Sequence, residues 1–308
     1  MIDSKKSIYK AFGLSVQSEI LLPELMVTNA KPDIFIGFGD VHDQLESPAF
    51  SIANFQVSPD KFLLKIDGVA KYLVEYGNKI TIDRGEGGSD DEIRLYLLGS
   101  ALGALIHQRG LLPIHGSSII FDNQVVIFSG RSGAGKSTLA AGFVKKGYKL
   151  LADDVSVVTP YETGELIVHP GYPQMKLWND SLEKLGHQQK PLRKIRSGLK
   201  KYALPMNVEF YSEPAPLIGI YIITASDTER ISLKTLKGIE KFNTLKNNTY
   251  RLSFLKGAGT GENHFKLIEQ VSQHCFVKVV ERPSKSFHLD KLIEVIKDDL
   301  SLNHLLTG

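Results

Sequence analysis

Gly130-Arg131-Ser132-Gly133-Ala134-Gly135-Lys136-Ser137-Thr138 reads G-x-x-x-x-G-K-S, a phosphate-binding loop. The apolar run 124–128 precedes it and Leu139–Val144 follows. The order is strand, glycine loop, helix, the context in which the motif is credible. Glycines let the backbone turn tightly and aim several N–H groups at one anion. The helix starting near Lys136 adds its positive dipole end. Lys136 places a charge against β- and γ-phosphates, and the Ser137 hydroxyl suits a bridging Mg²⁺. The competing reading is a glycine-rich turn that binds nothing.

The rest of the chain sets bounds. Its 308 residues are 42% hydrophobic and 23% charged, as in ordinary globular proteins. A net charge of +3 is too small to imply nucleic acid or a membrane as partner. The single cysteine, Cys275, excludes an intrachain disulfide and fits a reducing compartment. Met1–Ser7 is polar with no apolar stretch behind it, so no secretory signal is expected. The apolar runs Leu97–Ile106 and Leu217–Ala225 are too short to span a bilayer. A cytoplasmic protein is expected.

Residues 1–88 read as a β-rich domain. Strands are expected over Ile8–Val16, Asp33–Gly37, Phe50–Phe55, Lys61–Ile66, Tyr72–Tyr76 and Lys79–Asp83, with turn residues between several of them. A small antiparallel sheet is the simplest reading, and a module that recognises a partner is the alternative. Residues 89–110 read as a connecting helix, capped by Ser89 and stopped at Gly110. Gly99, Gly103 and Ala104 would let it pack closely against a neighbour.

From 111 onward a second domain begins. Ser117–Phe121 and Gln124–Phe128 form a hairpin around Asp122-Asn123. Strand 124–128, helix 136–146 and strand 148–152 make one βαβ unit, with parallel strands side by side or one apart. Their C-terminal ends then share an edge, where ligands of α/β sheets bind. Asp153 and Asp154 fall at that edge. One carboxylate can deprotonate an attacking hydroxyl and the other can hold Mg²⁺. The plainer reading is a strand end and a turn cap. His115 leads into the hairpin and is eligible for the same site. Leu217–Thr224 is wholly apolar and reads as a central strand. Gln188–Ala203 reads as an exposed basic loop. Its cations, among them Lys190, Arg193, Lys194, Arg196, Lys200 and Lys201, suit either a solvated loop or an arm that closes on phosphates or an acidic peptide.

His115-Gly116, the glycine loop and Lys146-Gly-Tyr-Lys-Leu-Leu-Ala-Asp-Asp154 together resemble the catalytic core of the HPr serine kinase/phosphorylase family. The resemblance is strong over 111–160. It implies an α/β fold, with a P-loop kinase domain of the HPr-kinase/phosphoenolpyruvate-carboxykinase type over 111–308 behind the β-rich domain. It also implies Mg-ATP as donor and a serine hydroxyl as acceptor. Asp153 would be the leading base, with Asp154 and His115 assisting. Lys136 and Ser137 would serve phosphate and metal, and Asp154 would be a second metal ligand. Arg193, Lys194, Arg196 and Lys200 are candidate substrate contacts.

After the acid pair the chain departs from that family, carrying His169-Pro-Gly-Tyr-Pro-Gln-Met-Lys-Leu-Trp178. With Phe12-Gly-Leu, Leu22-Pro-Glu-Leu25 and Leu97–Gly110, the layout is similar to the shorter HPr-kinase-like proteins of bacterial peptide-modification clusters. Those tied to lasso peptides phosphorylate the C-terminal serine of a precursor peptide. The resemblance therefore implies a precursor peptide or small protein as acceptor, and by analogy a homo-oligomer. An ATP-binding regulator without catalysis and a kinase of small molecules or of HPr protein stay open.

Overall fold

A computed structural model of the chain describes residues 7–161, 164–186, 192–195, 198, 200–285 and 288–307. Two large sheets organise a mixed α/β fold. The first runs in the order Met26–Val27, Ser7–Ala11, Leu14–Ser18, Ile34–Phe38, Lys79–Arg84, Ala70–Glu75, Lys61–Ile66, Phe55–Val57, Phe50–Ile52. It forms because its strands alternate. Ala70, Tyr72 and Val74 point inward, as do Ile80 and Ile82 across from them. The expectation of a small antiparallel sheet needs correcting. Ile34–Phe38 pairs in parallel with both Leu14–Ser18 and Lys79–Arg84, so the sheet is nine-stranded and mixed.

The single strand expected over Ile8–Val16 is a hairpin. Phe12 and Gly13 both take positive φ, 55° and 77°, the geometry of a two-residue turn between twisted strands. Phe12 N–H donates to the Pro170 carbonyl at 2.7 Å. A Cβ on Gly13 would lie 2.4 Å from His169 Nδ1. The stretches Phe12-Gly-Leu and His169-Pro-Gly-Tyr are thus two sides of one contact.

The helix expected over 89–110 begins as its sequence implies. Ser89 Oγ accepts from Glu92 N–H and donates to Glu92 Oε2. Its middle is different: Asp90–Tyr96 and Leu102–Gln108 are α-helical, and Leu97–Ala101 is a π-turn. The inserted residue turns the apolar stripe, and Leu97, Leu98, Ala101, Leu102, Leu105 and Ile106 are all buried. Gly103 admits the Tyr250 ring where a Cβ would stand 2.9 Å from it. The helix shares one core with the first sheet and with Val155, Val157, Tyr172, Tyr250 and Phe254.

His107 lies in this helix and is 2% exposed. Its Nε2 donates to the Tyr250 carbonyl at 2.7 Å. Burial pushes the imidazole down to about 4, against the pull of that carbonyl. The unfolded chain takes up this proton near 6.5, while the folded chain resists it until about 4. Stability is therefore complete above the unfolded value and falls as pH drops between the two, by about 3 kcal/mol. Denaturant unfolding at pH 7 and pH 4.5 should show a steeper loss in the native chain than in His107→Gln. Equal slopes would remove His107 from the acid sensitivity.

The second sheet runs Leu112–Ile114, Ser156–Pro160, Leu166–His169, Ala215–Ser226, Gln124–Ser129, Gly116–Phe121, Lys149–Ala152, with Phe276–Pro283 and Ser232–Thr235 extending from Ala215–Ser226. The long apolar strand is central, parallel to Gln124–Ser129 on one side and Phe276–Pro283 on the other. The hairpin turns at Asp122 and Asn123, φ 46° and 62°. Lys149–Ala152 is antiparallel to Gly116–Phe121, which is antiparallel to Gln124–Ser129. The outer two are thus parallel, one strand apart, and their C-terminal ends share an edge. Lys136–Lys145 and Leu289–Thr307 cover one face, and Gly238–Asn247 with Gly261–His274 the other. Among the described residues no helix is long and apolar enough to cross a membrane.

The basic segment is not simply a loop. Arg193–Lys194 and Lys201–Pro205 join Gln174–Trp178 in a three-stranded sheet. Lys190 and Arg196 lie outside the described residues.

Candidate functional site

The glycine loop leaves Ser129 at the edge just defined. Gly130, Gly133 and Gly135 take φ of 135°, 82° and 101°, and Gly135 precedes the helix Lys136–Lys145. Gly130 passes so close to the central strand that a Cβ would stand 2.4 Å from the Ile223 carbonyl. Lys136 curls back and donates from Nζ to the carbonyls of Gly130 and Arg131, at 3.0 and 3.2 Å. Burial depresses its ammonium below the ordinary value, while Asp154 and Asp153 pull the other way. Arg282, at the end of Phe276–Pro283, donates from Nε and a terminal nitrogen to the Ala134 carbonyl, both at 3.1 Å. The loop is thus braced from its own lysine and from a strand more than a hundred residues away in sequence. Thr138 Oγ1 lies 2.8 Å from Ser181 Oγ. Arg131 and Ser132 are exposed, and Ala134 is buried.

The two aspartates differ. Asp153 is 6% exposed and both its oxygens are taken. Oδ1 accepts from Ser117 Oγ at 2.6 Å and Oδ2 from the Lys176 N–H at 2.8 Å. Ser117 Oγ also lies 3.4 Å from Ser137 Oγ, which links Asp153 to the loop hydroxyl. Asp154 turns away from it through a left-handed backbone, φ 72°, uncommon without glycine. Its carbonyl accepts from His115 Nδ1 at 2.9 Å, so that nitrogen carries the proton. Its Oδ2 accepts from Lys176 Nζ at 3.2 Å, and Oδ1 lies 3.6 Å from His115 Nδ1. Burial raises the Asp154 carboxyl, but Lys176, His115 and Lys201 outweigh it and hold it well below the usual carboxylate range. Burial and Lys136 hold the His115 imidazole below its ordinary value, against Asp154.

A cavity of about 520 Å³ opens beside the loop. Ser132, Gly133, Gly135, Lys136, Ser137 and Thr138 form one wall, and His115, Asp154, Lys176, Trp178 and Lys201 stand around it. Asp154 lines this cavity, and the buried Asp153 is not among the residues lining it. Of the candidate substrate cations, the three that are described do not line this cavity. Arg193 is spent on the first sheet and its helix, donating to Glu24 at 2.6 Å and Asp91 at 2.8 Å. Lys194 and Lys200 are exposed and do not line the cavity. Lys201, their neighbour, does.

Sequence reasoning included Lys201 in the basic arm but did not single out Ser117, Lys176, Trp178 or Arg282 as site residues. For Lys176 and Trp178 a signal existed, since they alternate with the apolar Met175 and Leu177. For Ser117 and Arg282 none did, because each is brought in by strand pairing across the sheet.

Among the described residues no three His, Cys, Asp or Glu side chains could hold a metal by themselves. A loop hydroxyl beside one or two carboxylates is the short donor set that holds Mg²⁺ jointly with phosphates. Ser137 with Asp153 and Asp154 fits that description, and the braced glycines fit a triphosphate.

No family model matches the chain, and no curated protein matches it. Among solved structures it is similar to the Hpr(Ser) kinase/phosphatase from Coxiella burnetii, at 13% identity and a TM-score of 0.32, over 63% of this chain and 96% of that one. A likeness that low adds nothing to what the residues themselves show.

Proposed function

We propose that the protein is an ATP- and Mg²⁺-dependent phosphotransferase acting on a hydroxyl, that of a serine at the end of a precursor peptide. One observation carries the reaction type: the Asp153–Asp154 pair lies at the same sheet edge as the glycine loop, with Asp153 joined to Ser137 through Ser117 and Asp154 open to the cavity. A pure binder has no use for a second, cavity-facing carboxylate held ionised by a half-buried lysine. Bound Mg-ATP would supply the electrophilic phosphoryl group and neutralise part of its charge.

The chain's own residues divide the remaining work. Backbone N–H groups of the loop and Lys136 hold the phosphates. Ser137 and Asp153 form the metal side. Asp154 orients the acceptor hydroxyl and receives its proton, and His115 and Lys176 fix the Asp154 carboxylate in place. Lys176 and Lys201 add positive charge where the transferred group gathers negative charge. Little covalent chemistry falls to the protein in such a transfer, so a carboxylate of low basicity suffices if it is well placed.

Support for the acceptor is narrower. It rests on the resemblance in layout to peptide-modifying kinases, through stretches that include Phe12-Gly-Leu and His169-Pro-Gly-Tyr, which touch in the fold. Incubation with ATP labelled in the γ-phosphate, Mg²⁺ and a peptide ending in serine should give a labelled peptide, and the same peptide ending in alanine should stay unlabelled. Labelling of both would move the acceptor elsewhere. Binding of ATP with no transfer to peptides, to HPr-like protein or to small hydroxyl compounds would make the protein a regulator.

A further inference from the structure

Phosphate chemistry leaves the aromatic residue of the cavity without a task. Trp178 is the chain's single tryptophan, it is 41% exposed, and it lines the same cavity as Lys136, Ser137 and Thr138. Tryptophan has a large apolar ring with a polar edge and is highly buried on average. Leaving much of it open inside a cavity otherwise built of cations, hydroxyls and carboxylates points to a ligand with a flat, apolar part.

Its place in the strand says which part. In Gln174–Trp178 the side chains of Met175 and Leu177 enter the core, and Gln174, Lys176 and Trp178 face the other way. Lys176 meets Asp154 at the transfer end. Trp178 lies on the same face, roughly 7 Å further along the strand. The chain then enters Asn179–Leu185, whose Ser181 touches Thr138 in the first turn of the loop helix. The ring therefore stands on the strand face that carries Lys176 and near the first turn of the loop helix, where the remainder of a nucleotide would lie with its terminal phosphate at Asp154. Lys201 Nζ lies over the ring, 5.8 Å from its centroid, in a cation–π contact.

We propose that Trp178 is the platform on which the base of the bound nucleotide stacks. The proposal rests on the nucleotide reading given above and adds the subsite that separates a nucleoside triphosphate from a bare triphosphate. Every base has a π-face, so the platform favours nucleotides over inorganic phosphates without choosing strongly among bases.

Calorimetric titration of the native chain, Trp178→Phe and Trp178→Ala with Mg-ATP and with Mg-tripolyphosphate tests it. Trp178→Ala should weaken ATP about tenfold and leave tripolyphosphate unchanged, while Trp178→Phe keeps most of the ATP affinity. The exposure of the ring makes a folding defect in either variant easy to check by circular dichroism. Equal weakening of both ligands would assign Trp178 to the shape of the loop and overturn the platform. Unchanged ATP affinity would overturn it too, and the nucleotide reading would stand. A native chain that binds neither ligand would overturn both.

Discussion

Asp154→Asn is expected to cut phosphoryl transfer about a thousandfold while leaving ATP affinity close to native. Asparagine keeps the size of the side chain and tolerates the left-handed backbone that Asp154 adopts at φ 72°. It cannot accept a proton. In the proposed reading the phosphates are held by other groups, the loop N–H donors and Lys136, so binding should survive. One complication is measurable. Lys176 has only 12% of its side chain exposed and pairs with Asp154, so the variant leaves a half-sheltered ammonium without its carboxylate. A lowered melting temperature would report that cost separately from the rate. Asp153→Asn makes the contrast. Asp153 accepts two hydrogen bonds behind the cavity, so its loss should weaken Mg²⁺ dependence and loop geometry, with ATP affinity falling as well. If Asp154→Asn transfers phosphate at the native rate, proton acceptance moves to Asp153 or to His115.

Gly130→Ala is the second large effect. The residue sits at φ 135°, where a side chain is strained, and its new Cβ would meet the Ile223 carbonyl at 2.4 Å. Neither partner can yield cheaply, since both are backbone, one in the loop and one in the central strand. Gly133→Ala is the control. Its φ is 82°, but nothing lies within 4 Å of the added carbon. Gly133→Ala should cost about 1–2 kcal/mol of conformational strain. Gly130→Ala should cost several kcal/mol more or push the loop off the strand, abolishing ATP binding at a concentration where Gly133→Ala still binds. Chemical denaturation with a parallel binding titration separates the two. Equal effects would mean that strain alone, and not the approach to Ile223, sets the demand for glycine at 130.

The same residues show what could be read in advance. The loop, its strand and its helix were legible because glycines at positive φ and a following apolar run leave few other structures open. The shared edge of Gln124–Ser129 and Lys149–Ala152 followed from the handedness of a βαβ unit. The hairpin at Phe12-Gly13 was hidden because phenylalanine at positive φ is no turn signal, and only its contact with Pro170 and His169 makes that conformation worthwhile. The π-turn at Leu97–Ala101 was hidden because one inserted residue barely disturbs a helical period over so short a window. Strands at 193–194 and 201–205 were hidden because the adjacent cation pairs Arg193-Lys194 and Lys200-Lys201 look like a solvated run. The roles of Asp153 and Asp154 could not be told apart from spacing, since neighbours past a strand end diverge according to backbone angles that sequence does not print.

The acid pair also sits where three cores meet. Leu150 belongs to the core beneath the loop helix, Leu151 to the core on the opposite face of the second sheet, and Val155 and Val157 to the core shared with the first sheet. Asp153 and Asp154 are carried on the few residues between them. A misplacement of about 1 Å at a reacting group can cost a hundredfold in rate. With the pair carrying the proposed transfer, it would act as a strain gauge for all three cores: a packing fault in any one of them should register as lost turnover before the chain loses its fold.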